Sequence, residues 1–208
     1  MAKADPSIDP RILSSAREEF LALGFKRSSL HSICAGARVT TGALYKRYRS
    51  KEDLFRAVVA QTVDDLLAVA REKTSADLSA LSDETLIRAW EMDEDYMMWW
   101  FHFLYDRHDG FVLLLRCAEG TQYANFQHDW VEVMTQGTWN YYQEALRRGL
   151  TQAELTHTDL HILLTAFWTT IYEPFIHGYD WSQIQAHCQR VCRLFNWYEV
   201  FGFPSHGT

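Results

Sequence analysis

Apolar residues recur three and four apart along nearly the whole chain, and nowhere do they alternate with polar ones for the length of a strand. That period puts each apolar set on one helix face and excludes a sheet as the organising element. The punctuation agrees. Asp9-Pro10 supplies an N-cap and a proline for the first helical position, and Leu13, Ala16, Phe20 and Leu23 follow on one face up to Gly24. Short helices are expected at about 29–36, carrying Leu30, Ile33 and Cys34, and at 41–48, with Thr40 as N-cap. Ser50-Lys51-Glu52-Asp53 reads as a capping box that opens a long helix to about Lys73. After a polar connector at 74–82, the pattern predicts helices at about 83–107, 110–118, 123–148, 158–177 and 181–200. The expected fold is all-α: a three-helix head (1–50) joined by a long helix to a larger helical domain (51–208).

Composition narrows the class. With 48% hydrophobic and 14% aromatic residues the chain can fill a core, which excludes wholesale disorder. No apolar run approaches the ~20 residues of a membrane span, and the longest, 162–172, is interrupted by three threonines. No membrane partner is expected. MAKADPSIDP lacks the apolar core of a secretion signal, and the four cysteines form no C-x-x-C pair, so reduced thiols in a cytoplasm are expected. Charge is divided unevenly. Residues 1–51 hold ten Lys/Arg and four Asp/Glu, net +6; the remainder holds ten and 23, net −13. All eight tryptophans lie in the acidic part. A basic head on an acidic, aromatic body implies an anionic partner for the head alone.

The head's pattern names that partner. Two short helices a few residues apart, preceded by an amphipathic one, make a helix-turn-helix, whose second helix enters the DNA major groove. Ile33, Ala37, Val39, Leu44 and Tyr48 can form its small core, leaving Thr41, Gly42, Ala43, Tyr45, Lys46 and Arg47 outward. Small residues at 41–43 let the helix end approach the bases. Lys46, Arg47, Arg49 and Lys51 can neutralise phosphates, the main source of affinity for DNA.

SSLHSICAGARVTTGALYKRYRSKEDLF resembles the DNA-binding domain of the tetracycline-repressor (TetR) family, with Ile33, Ala37, Val39, Gly42, Leu44, Tyr45, Tyr48, Ser50, Lys51, Glu52 and Leu54 in register. With the first helix, the likeness covers about 10–56. It implies a homodimeric repressor, released from a double-stranded operator by a small-molecule effector. Thr40, Thr41, Gly42, Ala43, Tyr45, Arg47 and Lys51 stand at positions that match the family's DNA contacts. Two positions depart from the pattern. Arg38 replaces the turn glycine, at a cost on the order of 1 kcal/mol if the backbone there is left-handed. Cys34 replaces an alanine.

The body offers a candidate pocket and a candidate interface. Tyr96 to Tyr105 are apolar or aromatic on every side apart from His102, as in a buried helix or one that lines a cavity. Trp99, His102, Phe103, Trp130, Trp139, Phe167 and Glu173 are the ligand-binding candidates, for an effector that is mostly apolar, flat or cationic. Ile184, Cys188, Val191, Phe195 and Tyr198 repeat at 4-3-4-3 spacing, and Leu164 and Ile171 lie on a similar stripe of the preceding helix. These are expected in a four-helix interface between two copies; the alternative is that both stripes face the chain's own core. Pro174 should kink its helix.

His157 and His161, Glu173 and His177, and Cys188 and Cys192 are each spaced i,i+4. They leave open a metal- or thiol-responsive sensor, although no third ligand is evident for any pair. No nucleophile elbow, Walker loop or dinucleotide fingerprint occurs, so no catalytic residue and no cofactor are expected.

Overall fold

The computed structural model describes residues 8–74 and 76–203. Every regular element among them is helical. The chain folds into two compact units, one of residues 8–66 with 107–126, the other of 67–106 with 127–203.

The first unit is built on α1 (Ile8–Arg27), α2 (Leu30–Ala37), α3 (Thr41–Tyr45) and the start of α4 (Lys51–Thr74). Ile12, Ala16 and Phe20 form the buried stripe of α1, set against Ile33, Cys34 and Ala37 of α2 and Leu44 of α3. From α4, Phe55 closes this core, its ring edge-on to Phe20 at 5.1 Å and to Phe25 at 5.6 Å. Gly24 leaves the helical region at φ 74°, which kinks the end of α1 at a position where a side chain would be strained.

Residues 107–126 belong to the same unit. They form α7 (His108–Val112), which runs on into one π-helical turn, Leu113–Cys117. Gly110 permits its close approach to α4, because a Cβ there would lie 2.0 Å from Thr62 Oγ1. Arg107 pairs with Asp65 at 2.6 Å, and the Gln122 N–H donates to Glu52 at 3.0 Å.

The second unit contains the end of α4, a 3-10 turn (Leu78–Ala80), α5 (Asp83–Arg88), α6 (Glu94–Tyr105), α8 (Phe126–Arg147), α9 (His157–Ile176), α10 (Trp181–Leu194) and α11 (Trp197–Phe201). Its core is aromatic. Trp100, Trp130 and Trp168 meet edge to face at 5.2–6.3 Å. A second cluster joins Trp90 to Phe201 at 4.2 Å and to Trp197 at 6.0 Å. The edge-on rings of the first cluster suit the aromatic quadrupole, so those contacts add to simple burial.

The expected helix at 83–107 is two helices. Asp93 accepts the Tyr96 N–H at 2.8 Å and so starts α6 afresh, while the buried Trp90 turns the chain between them. At the end of α8, Arg148 donates to the carbonyls of Leu78 (2.7 Å) and Leu81 (2.6 Å) and pairs with Asp83 and Glu144. Pro174 deprives the Thr170 carbonyl of its helical donor, and His187 Nε2 of α10 donates to that oxygen at 2.7 Å. No helix among the described residues is long and apolar enough to cross a membrane.

Candidate functional site

In the head, Ser29 caps α2 by accepting the His31 N–H, and its own N–H donates to Glu19 of α1 at 3.0 Å. Arg38 ends α2 at φ 54°, ψ 48°, the left-handed conformation that a glycine would adopt freely. Its N–H donates to the Ala35 carbonyl, and that of Val39 to Cys34, so the turn is formed in spite of the arginine. Thr40 accepts the Ala43 N–H at 3.2 Å and caps α3. Leu44 is fully buried and anchors that helix, which leaves Thr40, Thr41, Gly42, Tyr45 and Lys46 exposed and Ala43 half-buried. Tyr45 is 54% exposed, unusual for a ring, and none of these side chains anchors the core.

The two remaining basic candidates are engaged inside the unit. Arg47 pairs with Asp9 at 2.5 Å and donates to the Ala43 carbonyl at 3.2 Å, a posture that holds its guanidinium beside α3. Lys51, whose position matches a phosphate contact, is folded back within the unit. Its ammonium donates to the carbonyls of Phe25 (2.6 Å), Ser28 (3.0 Å) and Lys26 (3.3 Å) and lies over the Phe25 ring. Carbonyls at a helix C-terminus lack intrahelical donors and carry partial negative charge, so a lysine folded back on them is well satisfied. Arg38, Lys46 and Arg49 are the exposed cations around α3. Beside them the Arg49 N–H, and then the Arg56 guanidinium, hold the Asp53 carboxyl below the usual carboxylate range.

The second unit contains a cavity of about 300 Å³. Its walls are the last turn of α4 (Lys73, Thr74), the 88–92 segment, Tyr96 and Trp100 of α6, one face of α8 and one of α9. The α8 face, Met134, Gly137, Thr138 and Tyr141, has helical spacing, as does Leu164, Phe167 and Trp168 of α9. Burial, then the nearby Tyr96, raises the Tyr141 phenol above its ordinary pKa, which keeps it a neutral donor.

Of the ligand candidates read from the sequence, the cavity takes in Phe167 alone. Trp130 lies behind its wall, packed on Trp100 and Trp168. Trp99 is half exposed and stacks on Phe103. His102 packs on Trp181, Trp139 on Tyr142 and His157, and Glu173 pairs with His177 at 3.1 Å. Aromatic character marked the core correctly but could not tell which ring borders empty space. The signal that the sequence did hold was the mixed face 134/137/138/141, where small and polar residues break an otherwise apolar stripe.

The expected interface seam lies inside the single chain. Ile184, Cys188 and Val191 are at most 3% exposed and face α6, and Leu164 and Ile171 are equally buried. Phe195 and Tyr198 do not continue the seam, because α10 ends at Leu194 and Asn196 caps α11 by accepting the Glu199 N–H. The 4-3-4-3 count assumed one helix where there are two. Burial, and then the neighbouring Cys192, push the Cys188 thiol up to about 12. Among the described residues no three His, Cys, Asp or Glu side chains are placed to share a metal ion.

Comparison with known proteins shows what the head and the fold are similar to. The profile of "Bacterial regulatory proteins, tetR family" matches residues 12–58, which span α1 to the start of α4. The HTH-type transcriptional regulator UidR of Escherichia coli K12 is 40% identical over 62 residues, 30% of this chain and 32% of that protein. The match therefore spans about a third of that relative's length. Among solved structures, NalD of Pseudomonas aeruginosa superposes with a TM-score of 0.61 at 19% identity, covering 90% of this chain and 95% of that one. FadR of Bacillus subtilis, solved with stearoyl-CoA, gives 0.57 at 15%, covering 89% and 96%. At such identities the shared property is the fold. Residues 12–58 are thus similar to the DNA-binding segment of the TetR family of bacterial regulatory proteins, and the chain shares the fold of NalD along nine-tenths of its length.

Proposed function

We propose that the chain is a one-component transcriptional repressor: two copies bind a palindromic operator, and a small molecule in the body's cavity releases them. The observation that carries this reading is the outer face of α3. Thr40, Thr41, Gly42, Tyr45 and Lys46 stand exposed on a helix whose other side is fixed by Leu44. Such a face suits entry into a major groove, with Lys46, Arg49 and Arg38 meeting phosphates. Arg47, held along α3, is the candidate for a base edge. UidR, NalD and FadR, regulators by their own descriptions, support the same reading.

Release needs a link between cavity and head. One helix, α4, carries Lys51 in its first turn, clamped to the end of α1, and Lys73 in its last, at the cavity. A ligand that prefers one position of that helix by ~1–3 kcal/mol would bias DNA binding, and operator DNA would weaken ligand binding by the same factor.

The proposed dimer uses the outer face of α9. Ile162, Thr165, Ala166 and Thr169 are exposed there, with Ile162 at 61%. The threonine hydroxyls at 165 and 169 fold back on the carbonyls of His161 and Thr165, so the face presents methyl groups and no charge. That is the surface one helix offers another.

Mobility shift on the DNA beside its own gene tests the reading. The chain should bind that fragment in preference to random DNA, and Lys46→Ala should lower the salt slope of log affinity by about 0.9 on both. Equal affinity for the fragment and random DNA removes the regulator reading.

A further inference from the structure

The charges around the cavity do not cancel, and the surplus indicates what it holds. Three ionisable side chains of formal charge line it: Lys73, Arg88 and Glu91. Arg88 lies 3.5 Å from Glu91 and 3.8 Å from Glu84, so Glu91 is matched by its neighbour. Lys73 has neither ion pair nor hydrogen bond among the described residues. Its ammonium sits over the Tyr96 ring at 4.9 Å and the Trp99 ring at 5.6 Å. Ring faces hold a cation in place without neutralising it, which leaves one positive charge at the rim of an aromatic cavity. This happens in the part of the chain whose net charge is −13, where a lysine has many carboxylates to choose from. The end of α4 does attract cations, but Arg71 is in the same last turn and exposed.

The remaining walls complete the description. Trp100, Trp168, Phe167 and Trp90 give an apolar enclosure. Thr138 and Tyr141 bring hydroxyls that make no hydrogen bond among the described residues. A space of about 300 Å³ is at the small end of ligand sites, too small for a long acyl chain with its carrier.

We propose that the cavity's ligand is a small amphipathic organic anion, a carboxylate, sulfonate or phosphate on a compact apolar or aromatic body, with Lys73 as its counter-charge. The aromatic walls enclose the body, and the anionic group lies at the rim beside the Lys73 ammonium, where Thr138 and Tyr141 can donate to it. This deepens the ligand-responsive reading above and rests on it. It narrows the mostly apolar, flat or cationic effector expected from the aromatic, acidic body, and Glu173 is not among the residues that line the cavity.

Two fluorescent probes test the charge alone: anilinonaphthalene sulfonate, and phenylnaphthylamine, which has the same rings without the sulfonate. Titrated into the full chain, the sulfonate should bind about tenfold more tightly, the factor that ~1.4 kcal/mol confers. Lys73→Met should abolish the difference between the two probes, and Lys73→Arg should retain it. Lys73→Gln replaces the methionine variant if circular dichroism shows that variant unfolded. A neutral probe that binds as tightly as the sulfonate, a preference that survives loss of the charge, or no binding of either probe overturns the proposal. Mobility shift on the same preparations separates the two readings. DNA binding without a sulfonate preference refutes the anion and keeps the regulator; the preference without DNA binding does the opposite.

Discussion

Single residues in the head are held at a cost that can be measured. Arg38 occupies a left-handed conformation at φ 54°, ψ 48°, where a Cβ is crowded and a glycine is not. Arg38→Gly should therefore stabilise the head by about 0.5–1 kcal/mol, read as a higher midpoint in urea. If the exposed guanidinium also meets a phosphate, the same variant binds DNA with a shallower salt slope. An unchanged or lower midpoint contradicts the strain argument. Lys51 shows the limit of reading positions by register. Its place in the motif matches a phosphate contact, yet its partners, the carbonyls at 25–28, are more than twenty residues away, and nothing local in the sequence announces them.

At the scale of the element, starts were easier to foresee than stops. Thr40 and Asp180 each cap a helix with a side-chain oxygen, and that chemistry is local; Asp93 does the same inside a stretch that its apolar pattern presents as one helix. The break after Arg88 and the end of α10 depend instead on where Trp90 and Trp197 are buried, which only the packed unit decides. The same holds for the cavity, which exists because α8 and α9 present particular faces. The end of α8 provides a pH test. Bonds from Arg147, then Arg148, hold the Glu144 carboxyl at about 2, well below an unfolded glutamate near 4.3. A depressed carboxylate adds stability that is complete above about pH 5 and lost as pH falls toward 2. Glu144→Gln should be less stable than wild type at pH 7 and lose less between pH 5 and 2, by urea midpoints at each pH. Parallel losses in the two proteins would assign the acid sensitivity elsewhere.

The whole molecule separates what the sequence ran together. Its apolar stripes near the C-terminus were correctly placed on helices, but a stripe does not say whether it faces its own chain or another. Ile184, Cys188 and Val191 are spent on α6, so charged residues there would unfold the body before they could separate a dimer. The exposed α9 face is the better target. Ile162→Glu should give a folded monomer by light scattering, with operator affinity lower by 10²–10⁴ because the two half-sites are no longer linked. A dimer that survives Ile162→Glu places the interface elsewhere. In the same helix, Pro174 leaves the Thr170 carbonyl without its helical donor and His187 supplies one, so loss of the histidine alone removes that oxygen's side-chain partner, whereas replacing the proline would return a backbone donor to it. The two positions are thus energetically coupled, and a double-mutant cycle on Pro174 and His187 should show a non-additive effect on stability.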